Sequence, residues 1–182
     1  MKKRCHWVNP KNPLYIAYHD KEWGKLQLDD SYLFEMLLLE CFQAGLSWEC
    51  VLNKRKYFKK AYDEFDINKI IVYNQNKINS LLNDKNIIRN RLKIIASIEN
   101  AKIFKSIQQE FGSFKNYLFQ FHANQVIYEW DCTTNTLSDQ IAFDLKKRGM
   151  KFVGSTTIYS YLQAIGLINS HEPNCYLYKN AK

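Results

Sequence analysis

Between residues 31 and 42 almost every position is apolar. Leu33, Phe34, Met36, Leu37, Leu38, Leu39, Cys41 and Phe42 leave no polar face, so a helix here is buried on all sides. Asp30 or Ser31 caps its start and Gly45 closes it. Ser47 caps a second helix running to about residue 62. Asp66 starts a short helix with Ile67, Ile70 and Ile71 on one side, and 76–83 reads as another. From 87 to 111 the stripe Ile87, Ile88, Leu92, Ile95, Ile98, Ala101, Ile103 and Ile107 recurs near the helical period, and Gly112 stops it. Ser113 caps 114–121. Residues 122–136 are polar and aperiodic and read as a loop. Ser138 caps a helix to Arg148, closed by Gly149, and a last helix over 156–165 closes at Gly166. The pattern predicts an all-α fold and a single domain over 1–182.

Composition narrows the class. Only six glycines and three prolines argue against a many-stranded fold. Hydrophobic residues make up 46%, enough for a packed core and too many for disorder. The longest apolar run, 36–39, is far too short to cross a membrane. Five cysteines without a signal-like N-terminus point to a reducing cytoplasm rather than a disulfide framework. The net charge of +8 favours an anionic partner, nucleic acid being the commonest, although a generally basic, Lys-, Asn- and Ile-rich composition gives the same sum.

Three local patterns carry chemistry. Cys5 and His19 near the start, with His171 and Cys175 near the end, offer the two thiolates and two imidazoles of a closed structural zinc site. His6 adjoins Cys5 and is an alternative ligand, and unrelated residues would give the same spacing. In the segment 145–157 one helix ends at Gly149 and another begins after Gly154. This helix–hairpin–helix, within about 138–166, offers a phosphate the free backbone N–H groups at Gly154, Ser155 and Thr156, with Lys151 beside them. An ordinary corner with a solvated basic end is the plain alternative. Finally, Glu40 sits late in the apolar helix. It either faces solvent at the helix end or is buried at a cost that something must offset. Trp7, Tyr15, Tyr18, Trp23 and Trp48 crowd the same part of the chain. Such aromatics are usually core, but aromatic faces around a carboxylate also suit a flat cation.

The chain resembles the 3-methyladenine DNA glycosylase I family of the helix–hairpin–helix glycosylase superfamily. The segments that carry the likeness are Arg4-Cys5-x-Trp7, Leu14-Tyr15-Ile16-Ala17-Tyr18-His19-Asp20-x-Glu22-Trp23-Gly24 and Gln43-Ala44-Gly45-Leu46-Ser47-Trp48. They continue with Ile87-Ile88-Arg89-Asn90-Arg91, Gly149-x-Lys151-Phe152-Val153-Gly154 and Gln163-Ala164-Ile165-Gly166-Leu167. The resemblance implies an enzyme that flips 3-methyladenine out of alkylated double-stranded DNA. It hydrolyses the N-glycosidic bond and leaves an abasic site. It further implies one structural Zn2+ on Cys5, His19, His171 and Cys175, tying the two ends of the chain. The base pocket would comprise Glu40 as the catalytic carboxylate, with Tyr18 and Trp48 sandwiching the base and Trp7 and Tyr15 as further walls. Leu46 would wedge into the gap left in the duplex. A monomer without membrane attachment is expected. Methylation at N3 makes the base a cation, so an ionised Glu40 would favour it over neutral adenine.

The chain departs from the family pattern in places. Ser170 stands where an Asp is usual and cannot act as a carboxylate; it is left to help orient His171. Met150 replaces an aromatic, and Cys41 a glycine. Two other readings remain: a zinc-stabilised helical DNA-binding protein without catalysis, and a zinc hydrolase built on His19, Asp20 and Glu22.

Overall fold

The structure, a computed structural model, describes residues 2–123 and 125–179. It is helical almost throughout, as the hydrophobic pattern predicts. The order is α1 (Pro13–Lys21), α2 (Asp30–Gln43), α3 (Trp48–Ala61), a 3-10 turn (Asp63–Phe65), α4 (Ile67–Ile70), α5 (Gln75–Asn83), α6 (Arg91–Phe111) and α7 (Phe114–Leu118). Then come β1 (Ile127–Tyr128), α8 (Thr136–Lys147), α9 (Ser155–Ala164) and β2 (Ile168–Asn169).

The all-round apolar helix α2 lies at the centre, packed by α3, α6, α7 and α9. Its cap differs from expectation. Asp29 accepts from the backbone of Ser31 and Tyr32. Asp30 is thereby free to accept from Gln108 Nε2 at 2.7 Å, Phe114 N at 2.8 Å and Lys115 N at 3.1 Å. A side chain on α2 thus satisfies orphan donors at the start of α7. At the other end of α2, Lys93 Nζ reaches across from α6 to the carbonyls of Phe42 (2.8 Å) and Ala44 (2.5 Å). A cation there complements the negative end of the helix.

Other differences trace to capping chemistry. The helix α1 was not anticipated; Asn12 caps it, with Pro13 opening it. The long helix starts at Arg91 rather than 87 because Asn90 is its cap. Helix α8 starts at Thr136: Asn135 is the cap, and Ser138 is the reciprocal partner of a capping box rather than the cap. The segment 122–136 is not only loop. β1 pairs in parallel with β2, Ile127 opposite Ile168 and Tyr128 opposite Asn169. Two-residue strands are too short to show a period.

The segment joining α1 to α2 is fastened to the end of α9. Gly24 N donates to Gln163 O (3.1 Å) and Gln27 N to Ile165 O (2.9 Å). This contact needs Gly166, whose φ is +77° and where an added Cβ would lie 2.1 Å from the Lys25 carbonyl carbon. Arg55 of α3 braces the same region, with Nη1 at 2.6 Å from Glu22 and Nε at 2.7 Å from Glu35.

Gly45 also has a positive φ (+78°) but meets nothing within 4 Å. Gly45→Ala should therefore cost only the left-handed backbone penalty, about 1–2 kcal/mol. Gly166→Ala adds a collision with backbone and should cost more than about 4 kcal/mol. Paired thermal melts check this; equal costs would mean the Lys25–Leu26 segment moves aside freely.

Candidate active site

A cleft of about 650 Å³ opens where α1, α2, the start of α3, α9 and the segment after β1 meet. Tyr15 and Tyr18 come from α1, Glu40 and Gln43 from α2, and Trp48 from the first position of α3. Trp7 and Trp23 flank α1, and Ser160, Gln163 and Ser170 come from the α9–β2 region. Every pocket residue expected from the sequence is therefore on one cavity: Glu40, Tyr18, Trp48, Trp7 and Tyr15.

Glu40 is buried, with only 3% of its surface exposed. Its Oε2 has no hydrogen-bond partner, so the solvent-facing alternative for this residue is wrong. Burial pushes its carboxyl up to about 8. With no donor beside it the carboxyl therefore favours its neutral form; the ionised Glu40 expected from the sequence is the form that would face a cationic base. Removing a carboxylate from water without a partner favours the protonated form. Trp48 Nε1 is also buried without a partner. One cavity thus holds an unmatched carboxyl and an unmatched N–H donor, each of which a ligand can satisfy.

The rings of Tyr18 and Trp48 have centroids 5.3 Å apart and are tilted by 46°. A base held between two parallel rings needs about 7 Å between their planes, twice an optimal carbon contact. The pair is therefore a closed V rather than an open sandwich, and a base either parts the rings or stacks on one outer face. Trp7 packs against Tyr15 at 5.2 Å and edge-on against Trp23 at 4.8 Å.

The aromatic wall runs on into the cysteine and histidine cluster. Trp7 lies 5.3 Å from the His19 ring and Trp23 4.7 Å from that of His171. One ligand atom from each of Cys5, His19 and Cys175 lies within 4.8 Å of the others, and all three residues are buried. His19 Nε2 is 3.4 Å from Cys175 Sγ. That separation suits a tetrahedral ion with Zn–S of about 2.3 Å and Zn–N of about 2.0 Å. His171 falls outside this tight set, yet its ring is 5.0 Å from that of His19 and its buried Nε2 has no partner. Its Nδ1 is 2.9 Å from Asn169 Oδ1, and His19 Nδ1 is 2.8 Å from Asp20 Oδ1. Carboxylate and amide partners of this kind orient metal-binding imidazoles. Asn169, not Ser170, orients His171. Ser170 Oγ instead accepts from Gln163 Nε2 at 2.8 Å in the cleft lining. His6 is directed to Glu172, to which its backbone N donates at 2.8 Å and with which its ring pairs, so it is not a member of the cluster.

The hydrolase alternative fails on the same geometry. Asp20 is held by a two-point contact from Arg4, at 2.8 and 2.7 Å, as well as by His19. Glu22 is committed to Arg55 and accepts from Tyr32 OH at 3.0 Å.

On the surface, Leu46 sits on the turn between α2 and α3 with 41% of its area exposed, two residues from Trp48. Gly154 starts α9 without a side-chain cap, leaving the N–H groups of its first turn free. The turn itself is fixed from behind: Asn100 exchanges two 2.9 Å hydrogen bonds with the backbone of Lys151. Met150 is buried, so its departure from the family pattern alters core packing rather than an exposed contact. Cys41 is buried against Asn100.

Sequence reasoning missed Gln43, Ser160, Gln163 and Glu172 as cleft residues, and also the run Trp130, Asp131, Cys132 and Thr133. The signal for that run was a tryptophan in an otherwise polar loop.

The methyladenine glycosylase family model matches residues 7–178. The chain is 41% identical over 186 residues to DNA-3-methyladenine glycosylase 1 of Escherichia coli (strain K12), covering 99% of each. A crystal structure of 3-methyladenine DNA glycosylase I superposes with a TM-score of 0.92 at 41% identity, covering 97% of this chain and 100% of that one. The Staphylococcus aureus 3-methyladenine DNA glycosylase I, solved for its 3-methyladenine recognition, gives a TM-score of 0.91 at 30% identity, with 98% of each covered.

The buried Glu40 has a testable pH signature. The fold favours its protonated form, so between about 4.5 and about 8 the unfolded chain binds fewer protons there than the native one. The stability contributed by this group is full below that window and is lost as pH rises through it. From pH 5 to pH 8 the wild type should lose up to about 4 kcal/mol relative to Glu40→Gln. Denaturant melts of both proteins at the two pH values check it; parallel curves would mean that the carboxyl is solvated.

Proposed function

The chain belongs to the methyladenine glycosylase family, and we propose from that premise how its cleft removes a damaged base. The protein is a DNA repair glycosylase that excises 3-methyladenine, a hydrolase acting on the N-glycosidic bond. The observation that carries the assignment of residues is the pairing of two unmatched buried groups, Glu40 and Trp48 Nε1, in one aromatic cleft.

The target nucleotide leaves the stack at a cost of a few kcal/mol, least for a damaged base. Tyr18 and Trp48, by parting or by offering one outer face, then stack the base, worth about 1–3 kcal/mol per stacked base. Trp7 and Tyr15 close the sides. Glu40 receives the exocyclic amine. A carboxyl that burial holds neutral gives its proton to solvent most readily when a cation or strong N–H donor lies beside it, as the methylated base does. Neutral adenine supplies less, and this difference is the selectivity. Because N3-methylation already makes the base a good leaving group, the C1′–N9 bond breaks with its electrons passing to the base. Water adds at C1′ and gives up a proton to solvent, leaving an abasic site.

Leu46 is assigned to the gap in the duplex. The region 138–166 is assigned as the helix–hairpin–helix of a single glycosylase domain spanning 1–182. There the free N–H groups at Gly154, Ser155 and Thr156, with Lys151, hold a backbone phosphate of alkylated double-stranded DNA. Cys5, His19 and Cys175, with His171 as fourth ligand, are the residues that would hold one zinc ion. Its role when bound is structural: it ties residue 5 to residue 175 and stiffens the wall carrying Trp7 and Trp23. Among the described residues no helix is long and apolar enough to cross a membrane.

Metal analysis after metal-replete expression should find one zinc per chain. Cys175→Ser should lower thermal stability and metal content together; zinc-free wild-type protein with unchanged stability would remove the ion from the account.

The function itself is tested by incubating the protein with methylated duplex DNA and separating the released bases. The expected product is 3-methyladenine, with hypoxanthine retained in control DNA. Ser170→Asp should change the single-turnover rate by no more than a few fold. A rise of about 100-fold or more, some 2.7 kcal/mol of barrier, would show that a carboxylate at 170 is a missing catalytic group.

A further inference from the structure

The cleft has a side that the base-recognition account leaves unused. Trp130, Asp131, Cys132 and Thr133 line it, facing the same space as Tyr18, Glu40 and Trp48. Trp130 differs from the other three tryptophans: Trp23 is part of the core cluster and Trp7 and Trp48 pack against it, whereas Trp130 has 49% of its surface exposed. An indole half exposed at the mouth of a cavity offers an apolar face to whatever enters it.

The segment that carries Trp130 is fixed at both ends. On one side β1 pairs with β2, and Glu129 N donates to Asn169 O at 3.3 Å. On the other side Asn135 Nδ2 donates to Glu129 Oε1 at 2.5 Å, and Asn135 itself caps α8. Between them Asp131 adopts a left-handed φ of +62°. Such a backbone in a non-glycine residue persists only where the surroundings impose it. The residues that anchor this segment continue directly into Ser170 of the cleft lining.

Depth in the cleft decides what Trp130 meets. Glu40 and Tyr18, at 3% and 4% exposure, form the floor, and Trp130 forms the rim. A nucleotide extruded into the cleft places its base on the floor and its deoxyribose at the rim. We infer that Trp130 is a further substrate-contacting residue, its indole packing on the deoxyribose of the extruded nucleotide and holding C1′ over the cleft. This rests on the glycosylase reading above. It predicts that Trp130 matters for a nucleotide in DNA but not for the free base.

The test compares wild type, Trp130→Ala and Trp130→Phe under single-turnover conditions on duplex DNA containing 3-methyladenine, alongside titration of free 3-methyladenine followed by NMR. Trp130→Ala should lose about 10-fold in excision efficiency, the scale of one lost aromatic contact. Trp130→Phe should recover most of it. Both variants should bind the free base within about twofold of wild type and melt at the wild-type temperature, since an exposed rim residue contributes little to the core. An alanine variant as active as wild type overturns the inference alone. So does a parallel loss of free-base affinity, which would place the indole on the base. A wild-type protein that releases no 3-methyladenine overturns the glycosylase reading and this inference with it.

Discussion

A carboxyl group buried near the end of a hydrophobic helix, with one oxygen unpartnered, is the constraint on which the rest of this molecule turns. Apart from Glu40, the positions of α2 from Leu37 to Phe42 are simply core. At Glu40 the helix faces a cavity instead of another side chain, and the fold carries the cost of an unmatched oxygen. That cost is bearable because the surrounding packing is extensive: α3, α6, α7 and α9 enclose α2, and Lys93 and Asp30 complete the polar accounting at its two ends. Stability elsewhere lets one position remain unsatisfied until a ligand arrives.

The second constraint is the closure of the chain on itself. Cys5 and Cys175 meet through His19, and the His171 ring lies beside them. Trp7 and Trp23 pack edge-on to these imidazoles and form part of the cleft wall. The order of the cleft wall therefore depends in part on the cysteine and histidine cluster behind it. The same arrangement gives α1 its importance, although only Tyr15, Tyr18 and His19 of it are buried. Its single buried face supplies Tyr15 and Tyr18 to the cleft and His19 to the cluster.

Much of this was legible in the sequence for physical reasons that differ by element. The apolar run of α2 could not be anything but a central helix, and Glu40 stood out against it. The motif around Tyr18 and His19 and the run from Gln43 to Trp48 marked the pocket through their likeness to a known family. Helix starts were less legible. Asp29 and Asn135 took caps that neighbouring Asp or Ser residues also fitted, and Asn90 caps a helix whose apolar stripe begins before it, because side-chain caps are decided by one residue's backbone angles. The β1–β2 pair is only two residues long in each strand and carries no period. The cleft side formed by Trp130 to Thr133 was hidden for a related reason. Its position follows from that strand pairing, a contact between residues some forty positions apart. The protonation state of Glu40 was also beyond the sequence. A motif names a carboxylate, but only the enclosure around it decides its charge.

The central claim is that Glu40 is held neutral by burial until a base with donors to offer enters the cleft. Direct titration of the Glu40 side-chain carboxyl by carbon-detected NMR, in the empty protein and with 3-methyladenine bound, tests it most directly. The account predicts a midpoint near about 8 in the empty protein and a clear fall when the exocyclic amine donates into the carboxylate. A midpoint in the ordinary carboxylate range in the empty protein, unmoved by the ligand, would contradict it.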